Sequence, residues 1–271
     1  MRAATPLDQP RAIGNARLST KLGPHGTCID ALRQSGALKL LFPRNPNYVE
    51  AIIVNTAGGI TGGDDFKISA SAGADTRTTL TTQAAERVYR AQPDQVGRLT
   101  TSLSVATGAT LHWVPQETIL YDQANLERRL TVDLAPDARL VMAEAVVFGR
   151  QAMGERLQQA RFSDRIEIRR AGVPLYRDGT ELHGNIAQEL DRPAVAAGAR
   201  AMATLVWVAK EAEGHLTRIR DLIGVTGGAS MIQHDTMTVR LLAEDSFALR
   251  RCLVPVLDLM TENALPLSWR L

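Results

Sequence analysis

The stretch "EAIIVNTAGGITGGDDFKISA", residues 50–70, sets two β-type apolar runs on either side of a corner holding four glycines and two consecutive aspartates. A phosphate-binding loop requires G-x-x-x-x-G-K-[ST]. Gly58 and Gly63 have that spacing, but Asp64 and Asp65 follow them, and carboxylates at those positions repel a phosphate. The dinucleotide fingerprint G-x-G-x-x-G is missing too, and the flanks read as strand and strand, not strand and helix. The corner is therefore expected to connect two strands. Its Gly-Gly pairs, Gly58-Gly59 and Gly62-Gly63, permit positive φ angles or close backbone approach. Asn55 and Asp64 are expected to hydrogen-bond the bend.

The pattern extends outward from this corner. "TRTTLTTQ" (76–83) is rich in β-branched threonine, which suits a pleated surface. "RRLTVDL" (128–134) alternates and puts Leu130, Val132 and Leu134 on one face. "LVMAEAVVF", "RIEIRRA" and "AMATLVWV" continue the series, separated by the turn signals "ATGAT", "LAPDAR", "RAGVP" and "RDGTE". Strands at such intervals, without helical patterns between them, predict a mainly β fold of sandwiched or stacked sheets and no βαβ units.

The last quarter changes period. In "DSFALRRCLVPVLDLMTE" (245–262), Leu249, Cys252, Leu253, Val256, Leu257 and Met260 form a helical stripe. Asp245-Ser246 supplies an N-cap, and Pro255 is expected to kink or interrupt the helix. Residues 210–224 predict a second, weaker helix stopped by Gly224. Between the two, "ASMIQHDTMTVRLLA" (229–243) reads as a hairpin turning near His234-Asp235. The expected organisation is a flexible segment over residues 1–20 and one domain over 21–271. That domain divides into a β body to about residue 208 and an αββα-like part over 209–271.

Composition excludes several classes. Of the 271 residues, 45% are hydrophobic and 22% charged, which is ordinary for a globular chain. The net charge is +2, and the arginines come in scattered pairs, Arg128-Arg129, Arg169-Arg170 and Arg250-Arg251. These read as solvated surface groups, not as a nucleic-acid face. Cys28 and Cys252 are the only cysteines and fall in no metal or redox spacing, which points to a reducing compartment. The opening "MRAATPLDQP" lacks an apolar core of the kind a signal peptide needs. No apolar run reaches membrane-spanning length. A cytoplasmic location is expected.

No G-x-S-x-G elbow and no H-E-x-x-H motif occurs. His25 and Cys28 could reach one soft metal ion, but two ligands do not make a site. The acidic residues carry more information. Glu86, Glu117 and Glu144 sit inside strand-like apolar segments. A carboxylate in a core is costly unless paired or wet, and alternation offers the other solution, an outward-facing side chain. Both remain open at this level.

The segment "NTAGGITGGD" (55–64) resembles the hallmark of the urease accessory protein UreD family, called UreH in some organisms. "TTQAAERVYR" (81–90), "GATLHWVPQETILYDQANLERRLTVDL" (108–134) and "EAVVFGRQAMGE" (144–155) follow in that family's order. "VRLLAEDSFALRR" (239–251) and "LPLSWRL" (265–271) look like its C-terminal signature. The region before residue 40 matches loosely, so no role passes to His25 or Cys28.

The resemblance implies a protein that catalyses nothing. It acts as a scaffold with the accessory proteins UreF and UreG and with urease apoprotein; UreG is the nickel-carrying GTPase. The expected fold is largely β, in stacked helicoid sheets, with a few helices near the C-terminal end. A polar passage for nickel is implied too. Carboxylate, carbonyl and water ligands suit transit of such a cation, whereas several Cys or His would hold it too tightly. Asp64, Glu86, Glu117, Glu144 and Glu155 lie in the matching motifs and are the candidate passage residues. Asn55, the four corner glycines and Arg150 support them. No tightly bound cofactor is implied, only transient nickel. Part of the C-terminal helix is expected to meet UreF, through Arg250, Arg251, Leu253 and Leu257. Two rival readings stand beside this one: a metal-dependent hydrolase using Asp64, Glu86 and Glu117, and a docking scaffold through which no nickel passes.

Overall fold

The computed structural model describes residues 10–270. The chain opens with an antiparallel hairpin, β1 (Ile13–Gly23) and β2 (Gly26–Gly36), and a second pair, β3 (Leu38–Leu41) and β4 (Val49–Asn55). From β4 onward it winds between two facing sheets. β5 (Asp65–Ala72) lies in the first sheet, and β6 (Arg77–Thr82) and the short β7 (Glu86–Val88) lie in the second. β8 (Gly97–Val105) returns to the first, followed by β9 (Thr110–Trp113) and the short β10 (Thr118–Leu120) in the second. β11 (Asn125–Leu134), β12 (Arg139–Phe148) and β13 (Ala160–Arg170) alternate in the same way.

Each strand therefore meets its neighbour one lap later, running in the same direction. β1–β5–β8–β11–β13 and β4–β6–β9–β12 are parallel throughout. Parallel strands need a crossover, and here the strand of the opposite sheet provides it, so no helix is required. The fold is mainly β, in stacked sheets. Antiparallel strands close both sheets. β14 (Val173–Gly184) pairs with β13, and α1 (Ile186–Asp191) leads to β15 (Ala201–Val208), which pairs with β12. α2 (Leu216–Ile223), the hairpin β16 (Gly227–Gln233) and β17 (Thr236–Ala243), and α3 (Ser246–Met260) follow, and a short 3-10 turn, Leu267–Arg270, comes after α3.

Alternation builds two cores. Leu18, Phe66, Ile68, Leu130 and Phe162 of the first sheet face Ile53, Leu80, Leu111, Leu140 and Met142 of the second. β12 and β15 are buried on both faces. Their other residues, including Val141, Ala143, Leu205 and Trp207, join Leu249, Leu253, Val256, Leu257 and Met260 of α3 in a second core. Burial of one large apolar side chain contributes roughly 1.5–3 kcal/mol, so this stripe anchors α3 firmly.

Three expectations are corrected. Residues 13–20 are not a flexible segment, because they form most of β1, whose Ala16 and Leu18 are buried; residues 1–9 lie outside the described residues. Pro255 does not interrupt α3, which runs through it with the proline on the exposed side. α1 was not foreseen. At six residues it is too short to show a period, and its signal is the N-cap Asn185, whose side chain accepts from the Gln188 N–H.

Candidate functional site

The glycine corner connects β4 to β5, as its flanking runs predict. Gly58, Gly59 and Gly63 have positive φ. At Gly59 a Cβ would lie 2.3 Å from the Tyr89 ring and 2.7 Å from the Arg87 carbonyl oxygen. Gly62 has ordinary φ; its requirement is space, since a Cβ would stand 2.8 Å from those of Ala91 and Gln95. Asp64 folds back into the bend. Its Oδ1 accepts from the Ala12 N–H and its Oδ2 from the Thr61 N–H, both at 2.8 Å. Both oxygens are thus occupied by backbone donors, which ties the corner to the start of β1.

Asn55 links the corner to β7. Its Nδ2 donates to the Gly59 carbonyl at 2.9 Å and to both carboxylate oxygens of Glu86 at 3.2 Å. Glu86 is half-buried, and no ion pair to it occurs among the described residues. Burial pushes its carboxyl up to about 7, against the smaller downward pull of the Asn55 amide.

Glu86 lines an interior cavity of about 40 Å³ between the sheets, as do Thr82, Trp113, Thr118, Arg128 and Glu144. Such a space admits a few waters but not a cation with a full hydration shell. On its wall stands a buried charge cluster. Register sets Arg128 of β11 opposite Asp164 of β13. The guanidinium donates to Asp164 through Nε at 2.9 Å and Nη2 at 2.6 Å. Its Nη1 reaches across to Glu144 of β12 at 2.6 Å. Trp113 Nε1 donates to the other Glu144 oxygen at 2.7 Å. The three charged residues are 5–7% exposed. Burial disfavours the guanidinium charge, but Asp164 and Glu144 outweigh it and hold the proton more tightly than usual. Burial pushes the Glu144 carboxyl up, with Arg128 opposing. The cluster itself carries two carboxylates around one guanidinium, and Arg129 also borders the cavity. Arg128 is thus no solvated surface group; in the Arg128-Arg129 pair one side chain points inward and the other outward.

The remaining acids lie apart from this cavity. Glu117 is buried and pairs with Arg250 of α3 at 3.0 Å. Arg250 also donates to the Trp269 carbonyl at 2.9 Å and stacks over the Trp269 ring, so it clamps the C-terminal segment onto the β body. Glu155 accepts from Arg150 at 2.9 Å, and that guanidinium holds its carboxyl below the usual range. Arg150 covers Tyr121, which meets Tyr89 edge-on at 5.1 Å. The Tyr89 hydroxyl donates to the Gly58 carbonyl at 3.2 Å. The 150–155 loop is thereby joined to the glycine corner.

Among the expected partner residues, Leu253 and Leu257 are corrected: both are fully buried in the second core and unavailable to a partner. Arg251 is exposed on α3 beside Phe247, which is 71% exposed. Sequence reasoning missed Asp164, Trp113, Tyr89 and Tyr121. Asp164 was within reach, since it shares parity with Phe162 and Ile166 in β13. No group of three or more His, Cys, Asp or Glu able to hold a metal ion occurs among the described residues, and no helix there is long and apolar enough to cross a membrane.

The comparisons with known proteins agree on one family. Residues 12–270 match the family model described as UreD urease accessory protein. The chain is 57% identical to the urease accessory protein UreD of Roseobacter denitrificans, covering 100% of this chain and 99% of that one. It is 52% identical to the protein of that name from Ruegeria pomeroyi, over 93% and 98% of the two chains. Identity to the Agrobacterium fabrum protein of that name is 42%, over 99% and 95%. With its stacked parallel laps and its glycine corner in place, the chain belongs to the UreD family of urease accessory proteins.

Proposed function

We propose that this protein serves nickel insertion into urease apoprotein, as a non-catalytic cytoplasmic member of a complex with UreF and UreG. Family membership supports the urease role. The observation that carries the nickel reading is Glu86, a half-buried carboxylate on the interior cavity held by the Asn55 amide and the Arg87 backbone N–H, with no ion pair among the described residues. A site for transit needs oxygen donors that bind a divalent cation weakly and release it. Glu86 meets that need, because no guanidinium forms an ion pair with it among the described residues.

The hydrolase reading finds less support. Of its three carboxylates, Asp64 is engaged by two backbone N–H groups and Glu117 by Arg250, so only Glu86 remains for a metal or a substrate. The test is urease activation with Glu86→Gln, normalised to the amount of complex recovered. Activation is expected to fall roughly tenfold with assembly unchanged, the size of effect seen when one metal-orienting group is lost. Full activation would remove nickel transit past Glu86 and favour the scaffold through which no nickel passes.

A further inference from the structure

The outer face of the first sheet carries a depression of about 430 Å³. Its charged lining comes from four strands: Arg98 of β8, Glu127, Arg128 and Arg129 of β11, Arg161 and Arg165 of β13, and Glu181 of β14. Three of the five arginines are matched: Arg98 with Glu127 at 3.4 Å, Arg161 with Glu181 at 3.6 Å, and Arg128 with Glu144 and Asp164. Arg129 and Arg165 are not. They are exposed cross-strand partners on adjacent parallel strands, and among the described residues neither forms an ion pair. Like charges set directly opposite each other destabilise a sheet. An anion between them would reverse the sign of that interaction.

We propose that this depression is a docking site for an acidic protein segment, which seats a pair of carboxylates on Arg129 and Arg165. The planar guanidinium fork matches a carboxylate in bidentate fashion. Phosphate suits the place less well. β11 and β13 each have a neighbour on both sides, so their N–H groups are used in the ladders and no backbone nest is left to wrap a phosphate. Glu127 and Glu181 on the rim repel a polyanion but tolerate a segment of mixed charge. The inference is independent of nickel transit, since Glu86 does not line the depression, although Arg128 and Arg129 border both spaces.

The probe is a fluorescein-labelled hexaglutamate peptide titrated with the full chain by fluorescence anisotropy at low salt. The wild-type protein is expected to bind it, and added sodium chloride to weaken binding. The double variant Arg129→Gln/Arg165→Gln is expected to bind roughly tenfold more weakly. Both side chains are exposed, and circular dichroism is expected to show an unchanged fold. Arg17 and Arg33 provide the control: they are another exposed cross-strand arginine pair on the same sheet, outside the depression. Their double Gln variant is expected to bind as the wild type does. Unchanged binding by Arg129→Gln/Arg165→Gln overturns the proposal. So does an equal loss in the Arg17/Arg33 variant, which means general basicity. Displacement of the peptide by inorganic phosphate at equal concentration overturns it too, in favour of a phosphate site.

Discussion

Glu144 and Glu86 line the same cavity, yet their surroundings differ in kind. Glu144 is held by a guanidinium and an indole N–H and is almost wholly enclosed. Glu86 has only neutral donors, the Asn55 amide and the Arg87 backbone N–H, and keeps part of its surface in solvent. A buried carboxylate with a cation at 2.6 Å has its electrostatic demand met within the fold. A carboxylate whose burial is matched only by neutral N–H donors retains a demand that a cation from outside can satisfy. The comparison separates architecture from a candidate for function by the charge of the partner, which burial alone does not reveal.

The largest expected effect lies on the Glu144 side. Arg128→Met removes the cation from between two buried carboxylates, and breaking such a cluster costs about 3–5 kcal/mol. Guanidinium-chloride unfolding measures it. Wild-type stability in this variant would show that the cluster is not structural, and the contrast with Glu86 would collapse.

Glu86 predicts the opposite sign and a pH dependence. Its folded pKa of about 7 lies above the ordinary 4.5, so the folded state binds its proton more tightly than the unfolded state does. The stability linked to that proton is full below about pH 4.5 and is lost as pH rises through about 7. Glu86→Gln carries no such loss. It is expected to be more stable than the wild type by about 2 kcal/mol near pH 8, a discounted fraction of the full shift, with the gain disappearing near pH 4. Urea midpoints at the two pH values test this, and a pH-independent difference would count against it.

Asp64→Asn gives the smallest effect. The amide replaces one acceptor oxygen with a donor that faces a backbone N–H, at a cost of about 1 kcal/mol. The glycine corner thus turns with Asp64 as its fastener, and the charge of Asp64 serves the bend. If the variant unfolds at the wild-type urea midpoint but fails to activate urease, Asp64 belongs with Glu86 and the division between the two regions must be redrawn.

Much of the fold was legible because it depends on local period. The alternation of "RRLTVDL", the stripe of α3 and the turn at His234-Asp235 all appear where the residues place them. The parity that located Leu130 and Val132 also located Arg128 on the inner face, but a charged residue there conflicts with the general expectation for arginine. Asp164 and Glu144 resolve that conflict from strands 36 and 16 residues away in sequence, and no local pattern connects them. Leu253 and Leu257 failed as surface residues for a related reason. A helix stripe shows which residues share a face, while the depth of its burial depends on β12, β15 and β17 beneath it. For Gly62 the sequence left open positive φ or close approach, and which of them applies depends on Ala91 and Gln95, about 30 residues further on.

The antiparallel strands at the ends of both sheets have a consequence for growth. A parallel lap presents the same unpaired ladder to the next lap that it received from the last, so nothing in the repeat itself limits its length. An open ladder of this kind is a template on which another chain can continue the pattern, as fibrils do. In the first sheet the reversal of direction at β2 and β14 changes the template at each end. At the outer edge formed by β2, a mostly exposed strand, Asp30 is paired with Lys21 at 3.0 Å, and charged side chains on an edge discourage addition. The hairpins act as chain terminators of a one-dimensional polymerisation, and the molecule is a finite oligomer of laps enclosed in one polypeptide.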